Sequence, residues 1–193
     1  MTTRISLLCL CVLVPGMLTA RAAEENGKLA TVSLFETPPT CDGTIEPGEW
    51  DGAVQTTGLL SLKGNWLERG MGTCRIGYSR DRLYVAIVTE LPPDQELIAD
   101  KTARDSRLVF QDSFELWINP YRKTEEGWKA GGTYFQTMGL ANGTMYDAKF
   151  TGKEAPDTGW DGDWTFANGI HKDVTDGPAW AQRHGVWVAE LSI

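Results

Sequence analysis

The 193-residue chain carries 18 basic and 26 acidic residues, a formal net charge of −8, with 41% hydrophobic and 23% charged positions. That acidic balance argues against nucleic acid and against anionic membrane as partners, since both reward Lys and Arg clusters that are lacking here. It is compatible with neutral ligands and with calcium, and the length suits a single domain with a sizeable core.

The first segment, "MTTRISLLCLCVLVPGMLTARAAEEN", has one cation at Arg4, an apolar run from Ile5 to Leu18, and Ala20-Arg21-Ala22 as a small-x-small cleavage site. This is the three-part pattern of a secretory signal, and its apolar run is short for a bilayer span. Residues 1–22 are therefore expected to be removed on export (secreted, periplasmic or cell-surface), with no membrane attachment afterwards. Neither Cys9 nor Cys11 follows a lipoprotein cleavage box, and both leave with the peptide. Loss of Arg4 and Arg21 takes the charge from −8 to −10. Cys41 and Cys74 remain, and in an oxidising compartment they read first as a disulfide contributing roughly 3–4 kcal/mol, with two unpaired buried thiols as the alternative.

Strands are expected near 31–36, 54–62, 72–79, 83–90, 113–119, 132–141, 144–150 and 186–193, with turn signals between them and almost no helical periodicity. Residues 23–37 form a lead-in strand, and 38–193 form one all-β antiparallel sandwich, immunoglobulin-like or jelly-roll-like. The polar "RDR" joins strands 72–79 and 83–90 as a tight hairpin, and "LYVAIVTE", apolar on both faces, belongs in the middle of a sheet. "QDSFELWINP" puts Phe114, Leu116 and Ile118 on one face and Glu115, Trp117 and Asn119 on the other. "ANGT" at 141–144 supplies a second hairpin with its Asn-Gly placed for a type I′ turn. The connection from Leu91 to Val109, with room for one helical turn, is long enough to suggest function. A second long loop, 153–180, is rich in Asp, Gly and Trp. The chain stops inside a strand at "AELSI", which suggests an N-terminal fragment of a longer protein.

The order of four stretches resembles the family 9 carbohydrate-binding modules, relatives of the DOMON-type sandwiches. "CDGTIEPGEWDGA" at 41–53 is similar to an opening Asp-Gly-x-Ile-x-x-x-x-Trp segment, and "RIGYSRDRLYVAIVTE" at 75–90 to a hairpin with a Leu-Tyr-Val strand. "QDSFELWINP" is similar to an Asp-Ser-Val-Glu-Ile-Phe strand, and "HGVWVAELSI" to a Gly-Tyr-x-x-Glu-x-x-Ile strand. The resemblance implies a non-catalytic module beside a glycoside hydrolase domain of the same chain, holding a glucan or xylan chain end between two aromatic rings, with calcium bracing its loops. It places Glu115 on sugar hydroxyls and Gln136 where family members have arginine. The first clamping tryptophan falls on Val109, with Phe110 beside it.

The residues themselves support some of this. A carboxylate at Glu115 accepts two sugar hydroxyls by charge-assisted bonds, or serves an arginine. Trp117 faces the same way and either stacks a sugar or joins a second small core. The Gln136 amide donates and accepts, as hydroxyl recognition requires, though a strand-surface glutamine needs no such role. "DTGWDGDW" gathers Asp157, Asp161 and Asp163 as hard oxygen ligands for a structural calcium or as a plain acidic turn, and Trp160 and Trp164 are either platforms or pins. Catalysis has little support, because Asp112 and Glu115 point to opposite faces of one strand. Two other functions stay open: a haem-binding electron-transfer domain drawing on Met71, Met138, Met145, His171 and His184, and a spacer sandwich with no ligand.

Overall fold

The computed structural model describes residues 31–60, 67–68, 70–108, 110–120, 132–152 and 154–193. The signal segment, Val109 and the far end of the strand expected at 54–62 lie outside them. The elements are β1 (Val54–Thr57), β2 (Gly72–Tyr78), β3 (Leu83–Glu90), β4 (Ser113–Ile118), β5 (Thr133–Leu140), β6 (Met145–Thr151), β7 (Thr165–His171), α1 (Ala179–His184) and β8 (Val186–Ser192). Five strands in the order β1-β2-β3-β8-β7 form one antiparallel sheet, and β4-β5-β6 form a second. The chain is the all-β sandwich that its sequence predicts.

The core follows from strand alternation. Ile76, Val85, Trp187, Ala189 and Leu191 of the larger sheet meet Phe114 and Leu116 of the smaller one. The outer face of the larger sheet is covered too. Phe35, Trp50, Tyr84 and Ala86 cluster under the segment before β1, and Val186 and Val188 lie with Ala181 under α1. Being covered on both sides, β8 is buried at every position. β3 is central, between β2 and β8, as its two apolar faces require.

Several expectations are corrected. Of the lead-in strand expected at 23–37, residues 23–30 lie outside the described residues, and 31–37 form one parallel bridge, Leu34 to Tyr78, where β1 leaves the end of β2 unpaired. β1 stops at Thr57 because Gly58 adopts φ +86. The 91–108 connection holds no helix; the helix found among the described residues instead follows Pro178 and ends at Gly185, φ 82. The β5–β6 turn has positive φ only at Gly143, with its amide donating to the Leu140 carbonyl at 2.9 Å. It is thus a three-residue loop closing on a glycine bulge, not a type I′ turn.

β7 lies inside the expected loop because its Asn168-Gly169 imitates a turn. That glycine has another purpose: a Cβ there would come within 2.5 Å of the Gly43 carbonyl oxygen, and one on Gly43 within 2.4 Å of the Asn168 carbonyl carbon. Two bare backbones cross where no side chain fits.

The expected disulfide is absent. Cys41 belongs to the outer cluster with Phe35 and Trp50, Cys74 to the core between the sheets, so the larger sheet itself separates them and their sulfurs are not joined. Burial pushes the Cys41 thiol up to about 11, with the Glu190 carboxylate adding to the shift, so it stays protonated. Reductant is expected to leave the urea midpoint unchanged, as followed by tryptophan fluorescence; a lower midpoint in dithiothreitol would show a cross-link in the purified protein. No helix among the described residues is long and apolar enough to cross a membrane.

Candidate functional site

The outer face of the three-stranded sheet collects three of the four residues expected to bind sugar. Antiparallel register sets Glu115 opposite Met138 and Trp117 opposite Gln136. One Glu115 oxygen accepts both the Trp117 indole N–H, at 2.7 Å, and the Gln136 amide N–H. The second oxygen has no partner among the described residues and is left for another donor. Glu115 is exposed, whereas Trp117 and Gln136 are half-buried.

β6 completes the face with Tyr146 opposite Met138, Ala148 opposite Gln136 and Phe150 opposite Tyr134. Tyr134 and Phe150 stack face to face across the strand pair, centroids 4.7 Å apart and planes 9° from parallel. Trp117 is tilted against both, 5.6 Å from Tyr134 and 5.0 Å from Phe150. Burial, with the charges of Asp105, Asp147 and Glu115 added, raises the Tyr146 pKa, so its hydroxyl keeps its proton near Glu115. Tyr146 and Phe150 were missed as site residues, although alternation in "TMYDAKF" marks them once the hairpin register is set.

Phe110 does not join this cluster. It stands on the approach to β4, 91% exposed at φ +67, and forms no aromatic pair among the described residues. Asp112 anchors that approach: its carboxylate accepts the Ile98 amide at 2.7 Å, while its own amide donates to the Ile98 carbonyl at 2.8 Å.

The expected calcium trio is not brought together. Asp157 closes its own turn onto the Gly159 amide, and Asp163 pairs with Arg82 at 2.8 Å. Asp161 instead joins Asp105 and Asp147, with their oxygens within 4.8 Å of one another. Arg104 stands among these three carboxylates, 2.7 Å from Asp147, 2.8 Å from Asp161 and 3.6 Å from Asp105. A guanidinium there takes up the acceptor oxygens and repels a divalent ion, so the group as built is an ion-pair network and does not fit calcium. Asp147, fully buried, also accepts the Gly162 amide at 2.7 Å and the Trp164 indole at 3.0 Å. Burial and the Asp105 charge raise its pKa against the lowering pull of those donors and Arg104.

Trp164 is thereby a pin, and Trp160, 4.7 Å from Phe135, is a second one. The Met and His residues are dispersed. Met138 and Met145 sit on the smaller sheet, His171 bonds the Gly43 carbonyl at 2.8 Å on the far side of the larger one, and His184 ends α1.

Glu190, in the Glu-x-x-Ile stretch, is fully buried and accepts the Asp42 and Gly43 amides at 3.1 and 2.8 Å and the Trp50 indole at 3.0 Å. Two of the four stretches that carry the resemblance thus meet in one hydrogen-bonded joint. Comparison of the chain with protein-family models, curated proteins and solved structures finds no match.

Proposed function

We propose that this domain is a non-catalytic carbohydrate-binding module of an exported carbohydrate-degrading protein. It holds a polysaccharide or oligosaccharide against the outer face of the three-stranded sheet. The observation that carries the reading is the Glu115 carboxylate, pre-positioned by Trp117 and Gln136 with its second oxygen unpartnered among the described residues. A fixed carboxylate with a spare oxygen accepts sugar hydroxyls without first paying to order itself. Trp117, whose indole N–H is held by Glu115 and whose ring packs with Tyr134 and Phe150, is the aromatic beside that carboxylate and the one we assign to stack on a sugar C–H face. Attachment would raise the effective concentration of neighbouring catalytic domains on their substrate with no chemistry of its own.

Calorimetry against soluble gluco- and xylo-oligosaccharides tests this. Glu115→Ala is expected to weaken binding by about tenfold or more, the loss of a hydrogen bond to a charged group. Unchanged affinity removes Glu115 from the site, and failure of the wild type to bind any glycan favours a spacer role.

A further inference from the structure

A second site lies away from that face. Between the 91–99 segment, the β5–β6 hairpin, the end of β7 and the end of α1 is a cavity of about 460 Å³, within the range of small-molecule sites. Its floor is a piece of sandwich interior that the smaller sheet does not cover. Ile170 is paired with the buried Trp187 and so lies on the core-facing side of β7, yet it is 47% exposed. Leu91 and Leu97, both packed on the main core, continue the floor.

The wall is built in advance although it has no regular structure. The Asn142 amide donates to the Ala99 and Lys101 carbonyls at 2.7 and 2.8 Å, and the Thr144 hydroxyl donates to the Lys101 carbonyl at 2.8 Å. The Gln111 side-chain oxygen Oε1 accepts the Asp100 backbone amide at 2.6 Å. Lys172 and Glu96 are the opposite charges on the rim, and neither has an ion-pair partner among the described residues. No Trp, Tyr or Phe lines the cavity among the described residues, so it offers no plane on which a sugar ring would stack.

We propose that this cavity binds a compact zwitterion with an apolar body, an α-amino acid of the leucine kind. The side chain covers Ile170, Leu91 and Leu97, the carboxylate meets Lys172 and the ammonium meets Glu96. A zwitterion uses both rim charges and, unlike a simple anion, is not repelled by a chain of net charge −8.

Calorimetry and amide-shift titration with leucine, isocaproate and isoamylamine separate the contributions. Leucine is expected to bind saturably, shifting the amides of Leu91, Ala99 and Lys172, with isocaproate and isoamylamine each about tenfold weaker. Lys172→Ala, a change at an exposed position, is expected to weaken leucine by about tenfold, the loss of one bond between charged groups. Glu115→Ala is expected to leave leucine binding unchanged, which keeps this result independent of the sugar face. Absence of saturable leucine binding, equal binding of isocaproate, or an unaffected Lys172→Ala variant would each overturn the proposal.

Discussion

Glu190→Ala is expected to lower the unfolding free energy by about 2–4 kcal/mol, read as a shift of the urea midpoint at constant slope. The substitution leaves three N–H groups without their acceptor: the amides of Asp42 and Gly43 and the indole of Trp50. Each buried orphan costs about 1–3 kcal/mol, and relief of a desolvated charge gives part of that back. Glu190→Gln keeps an acceptor and drops the charge, so its loss is expected to be smaller. The two variants also differ in pH dependence. Burial raises the Glu190 pKa despite those donors, so the folded state holds a proton that the unfolded chain releases at a lower pH. This contribution is complete below the ordinary glutamate range and is lost as pH rises through the raised value. Wild-type stability is therefore expected to fall over that window, and Glu190→Gln to fall less steeply. Parallel pH profiles for the two would show that the buried group does not titrate there.

The parts of the fold that were legible are those written within one strand or one hairpin. Period-two alternation in "QDSFELWINP" assigns Phe114 and Leu116 to the core and puts Glu115 and Trp117 together on the other face. Bringing Gln136 alongside needs only the neighbouring strand, because β4 and β5 are adjacent in sequence and in the sheet. What stayed hidden depends on distant partners. Asn168-Gly169 reads as a turn unless Gly43, far upstream, is known to cross it. Cys41 and Cys74 suggest a disulfide by compartment and number, and only the sheet between them decides against it. Asp147 looks like one more surface acid in "TMYDAKF", and nothing local shows that Arg104 and the 159–164 turn close over it. The same limit applies to calcium: composition gathers Asp157, Asp161 and Asp163 by sequence, whereas the fold gathers Asp105, Asp147 and Asp161 by proximity.

Arg104→Met is expected to be the other costly change, at about 2–4 kcal/mol. Removing one partner of a buried pair costs about 3–5 kcal/mol, and water reaching the half-exposed guanidinium reduces that figure. The loss arises because Asp147 would stay fully buried beside Asp105 and Asp161 with no other ion-pair partner among the described residues. Burial opposes the Arg104 charge, but the Asp161 hydrogen bond and the fields of the three carboxylates outweigh it and raise its pKa, so the cation is present at any working pH. Without it the Asp147 pKa, already raised, rises further. A raised carboxylate contributes stability below its ordinary pKa and loses it as pH increases, so the Arg104→Met deficit is expected to be small near pH 4 and to widen toward neutrality. Asp147→Asn removes the charge while keeping an acceptor for the Gly162 amide and the Trp164 indole. The double variant Arg104→Met/Asp147→Asn is accordingly expected to be more stable than the two separate losses predict, by about 1–2 kcal/mol in a double-mutant cycle. A deficit flat with pH and additive in the cycle would assign Arg104 a packing role, its aliphatic stem covering the loop while the carboxylates remain solvated by other means.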